Sequence, residues 1–248
     1  MTDAPALTTT AHPTVFHVTH WKAGSQWVRA VLGAAAPSRV LSPDHDPEWF
    51  YNKPLVNGGV YTPVYSTFEK FRTTVSPDLD QRTFVVIRDL RDTAVSWYFS
   101  LLHSHTPDDD SVSTSRQILR RLSKTDGLAL VISNHLRDAV DIQKSWIDSG
   151  ARIFRYEDLR ANQLSQFSQL LDFCQIDLPA SRRKSIISRN SFERKTWWRF
   201  GRERLKSHLR KGVPGDWKNH FDPRHKKLFK HLYANLLIRT GYERDLDW

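Results

Sequence analysis

The chain has 248 residues, with 37 Lys and Arg against 27 Asp and Glu, and a formal net charge of +10 with histidine counted neutral. At 39% hydrophobic and 12% aromatic residues, nine of them Trp, it can bury a sizeable core and does not fit the composition of a disordered segment. The single Cys174 excludes an intramolecular disulfide and zinc clusters of the CxxC type and suits a reducing compartment, and no stretch approaches the ~18 consecutive apolar residues of a membrane helix.

Residues 1–13 carry Asp3, a threonine run and no Lys or Arg, which is not the layout of a signal peptide. They read as a flexible leader to one domain over 14–248, expected to be cytoplasmic. Residues 14–19 form a β-branched apolar run suited to a buried parallel strand. From Ser25, Val28, Val31 and Leu32 fall at helix spacing. Residues 35–65, with five prolines and Gly58-Gly59, read as a long connection with little regular structure. Its rings Trp49, Phe50, Tyr51, Tyr61 and Tyr65 suggest contact with an apolar or aromatic small molecule. A second buried strand at 83–87 is followed by a helix at 93–102, then by helices at 115–124 and 128–148 that Gly150 closes. A third strand at 151–155 precedes a helix whose face is Phe167, Leu170, Leu171 and Cys174, so Cys174 reads as core. A last helix opens at Pro223 with Leu228, Leu232 and Leu236 stacked along it. Alternating strands and helices predict an α/β fold with a mainly parallel sheet covered on both faces, and ligands then bind at the carboxyl ends of the strands.

Residues 182–211 hold twelve Lys and Arg against two Glu, so this window carries the whole net charge and the remainder is neutral. Its periodicity is poor and it reads as a mobile flap for an anionic ligand; a solvated basic helix face is the plainer alternative. Three further segments point to phosphate. The turn Lys22-Ala23-Gly24-Ser25-Gln26-Trp27 opens a helix, where free N–H groups and the positive dipole end attract anions. It is not a Walker A loop. Arg88 leaves the end of a buried strand, with Ser96 eight residues on, and both can meet one phosphate unless Arg88 instead pairs with Asp92. Arg210-Lys211-Gly212 places two cations before a glycine, within Arg210-Lys211-Gly212-Val213-Pro214-Gly215-Asp216-Trp217-Lys218-Asn219.

Together, in this order, the segments resemble the cytosolic-type sulfotransferases, which use 3′-phosphoadenosine 5′-phosphosulfate (PAPS). The first loop is similar to the family's YPKSGTTW, 86–98 to its strand with RxxxDxxxS, Tyr156-Glu157-Asp158-Leu159 to YEDL, and 210–219 to RKGxxGDWKN. The resemblance implies a P-loop-like sulfotransferase fold. It implies that Lys22, Gly24, Ser25 and Gln26 hold the phosphosulfate, that Trp27 stacks on adenine and Tyr156 contacts it, and that Ser191 and Phe192 pack beside the base. Arg88 and Ser96 match the pair for the 3′-phosphate, with Arg210, Lys211 and Gly212 closing over it. The implied reaction is in-line sulfuryl transfer to a hydroxyl or amine of a small-molecule acceptor, leaving adenosine 3′,5′-bisphosphate (PAP) and needing no metal. Lys22 would stabilise the leaving oxygen, and Ser96 would hold Lys22 back until acceptor binds.

The chain departs from the family at several points. In place of the KTHxP histidine it has Val64-Tyr65-Ser66-Thr67-Phe68-Glu69-Lys70, which leaves His20 and Glu69 as candidates for the general base. Ala23 and Gln26 replace a Ser and a Thr, and the dimer motif KxxxTVxxxE is absent, so the oligomeric state stays open. His103 and His105, at i, i+2, face different sides and make poor joint metal ligands. Besides a nucleotide kinase or other phosphoryl transferase with a degenerate loop, which the lack of a Walker A sequence argues against, two alternatives stand beside the sulfotransferase reading. One is a polyanion or nucleic-acid binder using the basic window with Trp197, Trp198 and Phe200, although nucleic acid does not account for the order of the three segments. The other is a homologue that binds PAP without turnover.

Overall fold

The computed structural model describes residues 12–42, 49–103, 110–191 and 212–248. Five strands, β1 (Thr14–Thr19), β2 (Val40–Leu41), β3 (Val60–Val64), β4 (Gln81–Ile87) and β5 (Arg152–Arg155), make one sheet in the order β2-β3-β1-β4-β5. Every pairing is parallel. The helices are α1 (Ser25–Ala35), α2 (Trp49–Asn52), α3 (Phe68–Thr74), α4 (Leu90–His103), α5 (Asp110–Arg121), α6 (Lys124–Leu130), α7 (Arg137–Trp146), α8 (Tyr156–Ala161), α9 (Gln163–Phe173), α10 (Ala180–Arg189) and α11 (Pro223–Arg239). Among the described residues no helix is long and apolar enough to cross a membrane.

The central strands are apolar along their length because both faces of the sheet are covered. Val15, Phe84 and Val86 meet Val28, Val31, Phe167 and Leu170 on one face, while Phe16, Val18, Val85 and Ile87 meet Phe71 and Trp146 on the other. A further apolar cluster joins α4 to α6, α7 and α11. Cys174 lies in the first core, fully buried. Each fully buried Phe or Leu contributes about 1.5–3 kcal/mol, so the pairing of β1 with β3 and β4 is held firmly in register.

The connection at 35–65 is more regular than its prolines suggest, since it contains β2, α2 and β3. β3 holds Pro63 inside a central strand. The sheet accommodates it through a shift in register, from Phe16 opposite Tyr61 to Val18 opposite Val64, which leaves an extra residue on β3 beside the missing N–H. The expected helix at 128–148 is broken: α6 ends, a π turn spans Val131–His135, and α7 follows. The first part of the basic window is also helical, as α10, with Ile186 and Ile187 buried against the core. Residues 192–211, the rest of that window, lie outside the described residues, as does His105. In α11 the buried stripe is His225, Phe229, Leu236 and Leu237, not the expected leucine ladder, and Leu232 is exposed.

Candidate active site

Because all five strands run the same way, the segments after β1, β3, β4 and β5 emerge at one edge of the sheet. They carry Lys22, Tyr65, Arg88 and Tyr156. Lys22 has a positive φ of 69° and Gly24 one of 86°, a tight turn that feeds α1. The glycine is required twice over: a Cβ there would sit 2.8 Å from the Tyr156 ring. As the N-cap of α1, Gly24 offers no side-chain cap, and the N–H groups of Gly24, Ser25 and Gln26 meet no backbone acceptor among the described residues. Free N–H groups at the positive end of a helix are suited to an anion.

Arg88, nearly buried, donates from Nη1 to the Lys22 carbonyl at 2.9 Å and lies 4.5 Å over the Tyr156 ring. Its Nε is buried without a partner. A buried guanidinium that keeps an unused donor is suited to a negatively charged group. Arg88 forms no ion pair with Asp92, which instead accepts from Gly215 N at 2.7 Å and Trp217 N at 2.9 Å. Tyr156 completes the junction by donating from its hydroxyl to the Gly212 carbonyl at 3.0 Å. Lys22, Gly24, Ser25, Arg88, Tyr156 and Gly212, drawn from four separate stretches of the chain, therefore form one constellation.

The Lys22 ammonium donates to Ser100 Oγ at 3.0 Å and lies 5.6 Å from the Trp97 ring. Burial, and then the charge of Arg88, pull its pKa from 10.5 to about 8. The serine that holds Lys22 is thus Ser100 and not Ser96. The two lie one turn apart on the same face of α4, and the lysine reaches the further one. Ser96 is half-buried and its side chain makes no hydrogen bond among the described residues.

Trp27 is buried, edge-on to Tyr156 and Phe167, and its Nε1 donates to the Asn190 carbonyl at 2.8 Å, which brings the end of α10 and Ser191 to the loop. Ser25 is buried and accepts from the Tyr65 hydroxyl at 3.0 Å, whereas the Gln26 side chain is exposed. Phe192, Arg210 and Lys211 lie outside the described residues.

The two candidate bases lie in contrasting surroundings. His20 is fully buried, with Nδ1 2.9 Å from the Trp21 carbonyl and Nε2 2.8 Å from the Gln143 amide. A neutral ring that donates from Nδ1 and accepts at Nε2 satisfies both contacts, and burial brings its pKa down to about 4. Glu69 is exposed in the first turn of α3, where it suits the helix dipole, and forms no ion pair with Lys22 or Arg88. Tyr65 follows β3 in the segment that lacks the histidine. Its hydroxyl is engaged with Ser25, and burial pushes its pKa up to about 12. Of the rings expected to face an acceptor, Trp49, Phe50 and Tyr61 are core residues packed on one another and on Phe16. Tyr65 does reach the site. It stacks on Trp21 at 4.0 Å, and Trp21 lies near-parallel to Trp97 at 6.3 Å.

The sulfotransferase domain profile matches residues 12–241. The chain belongs to the sulfotransferase family. Cytosolic sulfotransferase 3 of Arabidopsis thaliana is 23% identical over 226 residues, which is 82% of this chain and 69% of the relative. Sulfotransferase 6B1 of Danio rerio is 26% identical over 167 residues, 64% of this chain and 53% of the relative. Among solved structures, mouse sulfotransferase SULT7A1 complexed with PAP superposes with a TM-score of 0.68 at 20% identity, covering 94% of this chain and 88% of that one. Retinol dehydratase in complex with androsterone and inactive cofactor PAP gives 0.59 at 14%, covering 90% and 80%. At these identities the structural likeness is one of fold.

In this member of the family, sequence reasoning missed Ser100, Gln143 and the docking role of Asp92. Ser100 was detectable from its i+4 spacing to Ser96. Gln143 was not, because nothing in its neighbourhood on α7 marks it as the partner of His20 and of the Arg88 carbonyl.

Proposed function

We propose that the protein transfers a sulfuryl group from PAPS to a hydroxyl or amine of a small-molecule acceptor. The observation that carries this reading is the convergence of Lys22 and Arg88 on the uncapped head of α1, with the buried Arg88 Nε left unpartnered. The SULT7A1 and retinol dehydratase structures contain PAP, and the residues here fit its charges: helix N–H groups and Lys22 for the 5′ end, Arg88 and Ser96 for the 3′-phosphate. Trp27 and Tyr156 would wall the adenine. In the reaction the acceptor atom bonds to sulfur as the bond from sulfur to the bridging oxygen breaks, leaving PAP, and the acceptor's proton is released to solvent. Lys22, released from Ser100, meets the charge that develops on the bridging oxygen, and the fixed loops hold donor and acceptor in line. Retinol dehydratase is solved with androsterone and with retinol, and the Trp21, Tyr65 and Trp97 rings beside Lys22 support an apolar or aromatic acceptor here.

A PAP-binding homologue without turnover is the second reading, favoured by the sealed His20. Lys22→Ala tests between them. Transfer from PAPS to a panel of phenols, followed by mass spectrometry, should fall by about 100- to 1,000-fold while PAP binding survives in part. Undiminished turnover in the variant would remove Lys22 from the mechanism, and no turnover by the unmodified protein with any acceptor favours the second reading.

A further inference from the structure

Behind the loop that carries Arg88 lies a second arginine with a different task. The Arg91 side chain is 3% exposed, and burying a guanidinium is costly unless carboxylates pair with it. Its Nε and Nη2 grip Asp89 bidentately at 3.0 and 2.7 Å, and its Nη1 donates to Glu243 at 2.5 Å. The guanidinium carbon lies 4.0 Å from the Trp217 ring and 4.4 Å from the Trp248 ring, and the two indoles meet edge to face. The segment after α11 is tied to the same region twice more. Tyr242 donates to Glu157 at 2.8 Å, whose other oxygen accepts from Asp89 N at 3.1 Å, and Arg155 donates to the Thr240 carbonyl at 2.5 Å.

Arg91 therefore links three pieces that are remote in sequence: the loop bearing Arg88, through Asp89; the segment that Asp92 holds, through Trp217; and residues 242–248. Cation–π contact is strongest where the guanidinium is desolvated, as it is here between the two indoles, and it ties the first two pieces to each other. We propose that Trp248 and Glu243 are positioning residues that act through Arg91, setting the spacing between loop 88–92 and segment 212–217 at which the 3′-phosphate is bound. This rests on the donor site proposed above.

The test compares the unmodified full chain with Trp248→Ala and Trp248→Phe, titrated with PAP and with adenosine 5′-phosphosulfate, which lacks the 3′-phosphate. Amide exchange is followed in parallel. Trp248→Ala should weaken PAP about tenfold and adenosine 5′-phosphosulfate by less than about twofold, with Trp248→Phe recovering most of the loss. Exchange should accelerate at 88–92 and 212–219 and stay unchanged in β1 and β4. Equal losses for both ligands, no loss, or acceleration throughout the sheet would overturn the proposal. Glu243→Gln, which keeps a hydrogen bond and removes the charge, should give the same selectivity change in smaller measure and serves if Trp248→Ala does not fold. Should the unmodified protein fail to prefer PAP, the donor-site reading fails, and the exchange pattern alone decides for or against the brace.

Discussion

Lys22 is where burial and charge oppose each other. Burial and Arg88 lower its pKa to about 8, whereas a bound 5′-phosphate or phosphosulfate must raise it. Below pH 8 the ammonium is already formed, and binding takes up no proton through this group. Above pH 8 the free lysine is neutral and binding must protonate it. PAP affinity is therefore expected to be flat between about pH 7 and 8, where the PAP phosphates are already fully ionised, and to fall by up to about tenfold per unit above pH 8, with proton uptake visible as buffer-dependent heat. Lys22→Met should flatten the profile. A flat profile in the unmodified protein would contradict the assignment. The hydrogen bond to Ser100 draws the same ammonium aside, so donor binding must compete with that serine.

At the scale of elements, Asp92 joins α4 to the short 3₁₀ turn Asp216–Asn219 by accepting from Gly215 N and Trp217 N. Asp92→Ala would leave two donors unmatched and cost about 2–4 kcal/mol in urea unfolding, with a parallel loss of PAP affinity; Asp92→Asn should cost less. No effect on either quantity would mean that the docking is incidental. The elements also differ in how far they could be read from sequence. β1 and α1 were legible because a run buried on both faces is continuously apolar and a one-faced helix repeats Val28, Val31 and Leu32. β3 was hidden because Pro63 argues against a central strand, and only the register shift against β1 permits it. α8 was hidden because it starts at the residue that follows β5, with no loop to announce it. In the site, Lys22, Gly24, Arg88 and Tyr156 were legible as types in order. The choice of Ser100 over Ser96, and the commitment of His20 to Gln143, depend on which side chains tertiary packing brings within reach.

For the whole molecule, the parallel sheet that gathers the site loops also buries two histidines. His17 is fully buried, stacked on Phe84 and bonded through Nδ1 to Thr62, and burial lowers its pKa to about 3; that of His20 drops to about 4. The unfolded chain protonates both near 6.5 and the folded chain does not. Their contribution to stability is thus complete above pH 6.5 and is lost as pH falls toward 4. At about pH 5 the two together should cost on the order of 4 kcal/mol relative to neutral pH. Urea unfolding at the two values measures this, and equal stability at both would contradict the burial of neutral rings.

The central claim, a donor site built from Lys22, the head of α1 and Arg88, is tested most directly by calorimetric titration with PAP, with ATP and a short single-stranded DNA as controls at fixed salt. Saturable binding selective for PAP and lost in Arg88→Ala is the predicted result. Equal binding of all three polyanions, or PAP binding that Arg88→Ala leaves untouched, would contradict it.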